Sequence, residues 1–258
     1  MGNSESVINN KREKTYFNSK FNWVLSYPTL EYETINEKTL SKLINNYSDN
    51  KSKYIDLRTN APTVLNIDSI PVHSIATVAS NLNYLLIKNN LPIFPPSRLF
   101  IYHNLSYFKD VNSILSFDRI FKSIEKYGFC SELDFSFSLD NLTNSPSNLN
   151  YKVAEAFQFL KVYKIENKLN IIKILLQHEM PVIVGMVLYY DLKKIVDKLW
   201  LPDLNIDYRQ GGITGLILGY VDDREVFIVQ LSLGKNFGIS GYIFVPYKYI
   251  LNEQLTPE

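Results

Sequence analysis

The chain has 258 residues, 46% of them hydrophobic, with 27 Lys and Arg against 26 Asp and Glu. That is enough apolar material for one large domain or two packed lobes, and so even a balance excludes the basic face that a nucleic-acid partner requires. The single cysteine, Cys130, excludes an intramolecular disulfide framework and points to a reducing, intracellular setting; no Cys/His cluster has metal-ligand spacing, so neither metal nor cofactor is expected.

In chain order, residues 1–20 read as a flexible polar tail. It opens Met1-Gly2-Asn3-Ser4-Glu5-Ser6, which fits the myristoylation pattern M-G-x-x-x-[ST] with Gly2 as the lipid attachment residue. One myristoyl chain holds a membrane only marginally, on the order of 10⁴ M⁻¹, so a second signal is expected. Lys11, Arg12, Lys14 and Lys20 offer a modest basic cluster, weakened by Glu5 and Glu13. No apolar run reaches the roughly 20 residues that span a bilayer, and the start is too polar for a secretory signal. The expectation is an intracellular, membrane-associated protein that is not secreted; the bland alternative is an ordinary polar tail.

Residues 23–60 are mixed. A helix is predicted around 38–46 from Leu40, Leu43 and Ile44, in a stretch expected to wrap a lobe rather than enter a core. The segment IDSIPVHSIATVA (67–79) reads as a turn running into a helix over about 72–88, apolar on more than one face and therefore buried and central. Two further helices follow over 95–108 and 116–128, the second ended by Gly128, and then a polar crossing over 131–147. Beyond it the pattern turns to strands: 156–165, 181–190, a hairpin over 213–234 with its turn at 221–224, and 241–250, with a helix over 170–180. A helical lobe of about 60–135 followed by a strand-rich lobe of about 150–258 is an α+β arrangement with a cleft between the two.

The order of several short pieces resembles the papain-like cysteine peptidases, in particular their compact bacterial and viral branch. These are FNWVLSYP (21–28), YIDLR (54–58), SRLFIY (97–102), KYGFCSE (126–132), PVIVGM (181–186), GG followed by GYVDD (211–223), and FIVQLSLGKNFGISGYIFVPYKYI (227–250). The resemblance implies a papain-like two-lobe fold over 21–258, with a long central helix in the helical lobe and an antiparallel, barrel-like second lobe. It also implies four chemical positions. Ile67 stands where the family has its oxyanion-hole glutamine, His73 where it has the nucleophilic cysteine, Ile213 where it has the general-base histidine, and Leu231 where it has the orienting asparagine. The interval from 73 to 213 falls in the family's window of about 130–150 residues between nucleophile and base.

Acyl transfer needs an activated nucleophile, an oriented base and oxyanion donors. With all four positions replaced, the expectation is a pseudoenzyme with no catalytic residue: a catalytically dead, membrane-tethered structural or protein-binding component, of a large DNA virus particle, whose partners are capsid or membrane proteins. Two alternatives stand beside it: a divergent hydrolase or transferase using His73 or Ser74, and an unanchored cytosolic peptide-binding module. His103 and His178 are expected to be structural, Ser74 to cap or pack, Cys130 to be a small buried apolar group, and the Asp222-Asp223 pair to form a solvated turn.

Overall fold

In a computed structural model of the chain, the described residues are 23, 25, 32–44, 52–67, 70, 72–105, 115–158, 161–189, 201–205, 209 and 211–258. Gly2 and the basic residues of the tail lie outside them.

The elements begin with a short strand β1 (Thr34–Ile35) and helix α1 (Glu37–Leu43), whose start is fixed by a capping box between Asn36 and Thr39. Strand β2 (Tyr54–Asp56) follows, and then the central helix α2 (His73–Lys88), α3 (Arg98–Leu105) and α4 (Phe117–Tyr127). Gly128 closes α4 with φ +67°; a Cβ there would lie 1.8 Å from the Ala154 carbonyl oxygen, so both the turn and the close approach require glycine. Helix α5 (Asn148–Ala154) starts with a second capping box, Ser147 with Asn150. After β3 (Lys164–Ile165) and α6 (Leu169–Gln177) come β4 (Val182–Leu188), β5 (Gly211–Val221), β6 (Val226–Gln230), β7 (Tyr242–Pro246) and a single turn of helix, α7 (Tyr247–Ile250).

Strand β5 organises the second lobe. It runs antiparallel to β4 through Val182↔Ile217 to Leu188↔Gly211, to β2 through Asp56↔Gly219, and to β6, with an irregularity at Ile217/Gly219 that bends it. Strand β7 completes a five-stranded antiparallel sheet beyond β6. Two clusters of buried side chains result. One, inside the sheet lobe, joins α1, α6 and strands β4 to β7; the other joins α2, α3, α4, Phe129, Phe135 and Ala154. Helix α2 packs against β5 between them. This is an α+β two-lobe fold, as the sequence pattern implies.

Three local expectations are revised. The strand over 156–165 shrinks to Lys164–Ile165, because Glu155–Phe157 continue α5 as a 3₁₀ turn and Phe157 packs edge-on against Phe94 and tilted against Phe129. The last strand ends at Pro246, where α7 begins. The stretch before residue 60 enters the cores instead of merely wrapping them: Leu40 and Ile44 are buried in the sheet lobe and Trp23 in the helical cluster.

Candidate functional site at the lobe seam

The site is built where α2 meets the β4–β5 pair. The turn before α2 is pinned from three sides. Asn66 bridges to Leu233, the Ile67 amide donates to the Ser232 carbonyl at 3.3 Å, and the Arg98 guanidinium donates to the Asn66 carbonyl at 2.7 Å. Arg98 in turn forms a close ion pair with Glu132 and lies 3.7 Å over the Phe137 ring. Thus SRLFIY and CSE, far apart in sequence, act together to hold the residue next to Ile67.

Helix α2 then starts on Val72 with no side-chain cap, and His73 and Ser74 occupy its first turn, both buried. One turn on, the Thr77 and Thr214 hydroxyls share a hydrogen bond of 2.7 Å, both fully buried. That bond fixes the start of the helix against β5 beside Ile213. Leu231 lies over the same strand, its Cδ2 3.4 Å from where a Cβ on Gly215 would be. Ile67, His73, Ile213 and Leu231 are each at 0% exposure. Ile213 and Leu231 belong to the core of the sheet lobe and Ile67 to the helical cluster, so the seam is filled at these positions.

The seam is not hydrocarbon alone. His73, Ser74, Thr77, Ser80 and Thr214 form a buried polar set along α2 and β5, and the Ser74 and Ser80 hydroxyl oxygens have no hydrogen-bond partner. Each such orphan costs about 1–3 kcal/mol. Of the two roles expected for it, Ser74 does not cap the helix; it is packed, buried, in the first turn.

Sequence reasoning missed two parts of this site. Thr77 and Thr214 look like ordinary helix and strand residues, and only their pairing marks them. Trp23 is the other. Its indole lies on Gly185 and Gly212, where added Cβ atoms would come within 2.2 Å of Cζ2 and 2.7 Å of Cε3, and its ring reaches Phe117 of α4 at 6.4 Å between centroids. The glycines in PVIVGM and GGITG were the available signal.

The remaining candidates lie elsewhere. Cys130 is fully buried, and burial, with Asp134 nearby, pushes its thiol up to about 12, far from a reactive thiolate. His103 sits on α3 with its pKa lowered by burial, and His178 caps the end of α6. Asp222 and Asp223 do point apart, yet Asp222 is more than a solvated turn residue. It accepts from Lys173 and from the Tyr247 hydroxyl, both at 2.7 Å, while Asp223 faces Lys53 at 3.7 Å. Among the described residues no group of three or more His, Cys, Asp or Glu is placed to hold a metal ion, and no helix is long and apolar enough to cross a membrane.

The crystal structure of xylellain, a cysteine protease from Xylella fastidiosa, superposes with a TM-score of 0.79 over 92% of this chain and 93% of its own, at 23% identity. This chain has the papain-like fold. Two digestive procathepsins from Tenebrio molitor larval midgut share the fold as well: procathepsin L 3, at a TM-score of 0.62 and 17% identity over 82% of this chain and 71% of that one, and the procathepsin L2 proteinase, at 0.67 and 13% over 94% and 84%. An uncharacterized peptidase C1-like protein of Acanthamoeba polyphaga mimivirus is 29% identical over 185 residues, 66% of this chain. The chain spans only 60% of that relative's length. No protein-family model matches it.

These likenesses overturn the expectation that the chain is no enzyme. The solved structures sharing its fold are described as a protease, a procathepsin and a proteinase, and the viral relative is named peptidase C1-like. The expectation rested on four replaced side chains; buried hydroxyls and an imidazole nevertheless lie at the start of α2.

Proposed function

We propose that this papain-like protein engages a polypeptide at the seam between its lobes, and does so at a membrane face through myristate on Gly2. The observation that carries the reading is the fold agreement along nearly the whole of both chains with a protein described as a cysteine protease, a class whose substrates are polypeptides. The arrangement around the seam supports it, since a pinned turn, a central helix and two strands meet there. Cleavage of the bound polypeptide is a second reading, favoured by the polar set His73, Ser74, Thr77 and Thr214. The mimivirus relative supports a place in a large DNA virus particle, with capsid or membrane proteins as partners.

Incubation of the purified chain with a peptide library, read by mass spectrometry and by equilibrium binding, tests both readings. New termini that disappear in His73→Ala or Ser74→Ala support cleavage, and saturable binding without new termini supports engagement alone. A cooperatively folded protein that neither binds nor cuts any peptide overturns the proposal. Intact mass after expression in a eukaryotic host tests the anchor, which fails if Gly2 carries no added acyl group.

A further inference from the structure

We infer that the outward face of helix α5 pairs with the same face of a second copy of this chain, antiparallel about a two-fold axis, to form a weak dimer. The inference concerns the helical lobe and does not rest on the function proposed above.

Helix α5 buries Asn150 and Ala154 and turns Leu149 and Val153 outward, at 68% and 38% exposure. Four residues apart on a helix, the two stack as one apolar stripe. The stripe is extended at both ends by side chains of the segments beneath it. At its start stands Leu133, 90% exposed, next to Asp134, whose carbonyl accepts from the Asn150 side chain. At its end stands Ile93, 65% exposed, next to Phe94, whose ring meets Phe157 edge-on at 5.1 Å. Four aliphatic side chains this open on one lobe make a patch on the order of a few hundred Å², a size that marks interaction sites on monomer surfaces.

The charges beside the stripe select its occupant. Lys152 and Glu155 are both exposed and fall together on one flank of it, and among the described residues neither takes part in an ion pair. Two α5 helices set face to face about a two-fold axis run in opposite directions while each flank keeps its own side, so Lys152 of each copy stands opposite Glu155 of the other. One symmetric contact thus satisfies both charges twice. The same operation lays the Leu133 end of one stripe on the Ile93 end of the other, and carries the two Asp134 carboxylates to opposite ends of the interface. A membrane fits less well: Asp134 and Glu155 outnumber Lys152 around the patch, whereas an anionic leaflet attracts basic surfaces. Since a standard interface buries about 800 Å² a side, a patch of this size gives an association that is weak and concentration-dependent.

Sedimentation velocity of the full chain at rising concentration tests this. The parent should move from monomer toward dimer. Lys152→Glu alone, or Glu155→Lys alone, sets like charges against each other twice and should weaken dimerisation about tenfold or more, and the double swap should restore it. Both side chains are exposed, so the swaps leave the fold intact, which an unchanged Tm checks. A parent that stays monomeric at every concentration overturns the inference, and so does a dimer that the single swaps leave unchanged. A monomeric parent that floats with phosphatidylcholine vesicles and is released by Leu149→Asp assigns the face to lipid and likewise overturns the dimer.

Discussion

On one face of the β4–β5 pair, Val184, Met186, Leu188, Ile213 and Ile217 pack into a core made of hydrocarbon; on the other, Gly185, Val187, Gly212 and Thr214 meet Trp23 and helix α2. The first face is filled by branched side chains from its own lobe. The second is a junction, where glycine makes room for a ring supplied from residue 23 and a threonine supplies a bond to the other lobe. Side chains that serve stability and side chains that shape the seam thus alternate along the same two strands, one residue apart. A one-residue slip of register would exchange them.

The core face should be the more costly to disturb. Ile213→Ala leaves a cavity in a fully buried site and is expected to cost about 2–5 kcal/mol in urea unfolding; a loss below that range would show that Ile213 lies against a space able to collapse. Gly212→Ala tests the seam face from the opposite direction. Its Cβ would come within 2.7 Å of Trp23 Cε3 and 2.8 Å of the Trp23 carbonyl oxygen, so overpacking of about 1–3 kcal/mol is expected, and the same change in a Trp23→Gly background should cost less. Thr77→Val or Thr214→Val alone strands the partner hydroxyl at about 1–3 kcal/mol, while the double variant should approach the parent. Additive losses in that cycle would show that the two hydroxyls are satisfied independently.

The smallest expected effect lies at the sheet edge, on β2. Burial works against the Asp56 carboxylate, yet hydrogen bonds from Arg58 and Tyr54 and the Arg58 charge hold its pKa down at about 2, below the ordinary 3.8. A carboxyl depressed in the folded state contributes fully above its unfolded pKa, and the contribution is lost as pH falls through the folded one. The Tm gap between the parent and Asp56→Asn should therefore narrow from about pH 5 to about pH 2. For a partly exposed pair the whole effect stays under about 1 kcal/mol. A gap that widens on acidification would assign the stabilisation to another group.

Periodicity made the central helix legible because α2 carries its apolar residues at helical spacing, and the hairpin β5–β6 because its turn residues interrupt two apolar runs. The strand expected over 156–165 failed for a tertiary reason: Phe157 is drawn to Phe94 and Phe129, and a short apolar run takes the conformation that packs best. The ordered motifs singled out Ile67, Ile213 and Leu231 without revealing which core each would join. They also suggested a seam emptied of chemistry, where folding in fact buries His73, Ser74, Thr77 and Thr214 together.

The sequence by itself determined the two-lobe α+β plan, since spacing of apolar residues and turn chemistry act locally and survive in any context. Tertiary structure alone decided which face of each strand became core and which became seam, because strands buried on both faces read as one unbroken apolar run. It alone, too, brought Trp23 onto Gly185 and Gly212, since a missing Cβ announces free space but not the group that will fill it.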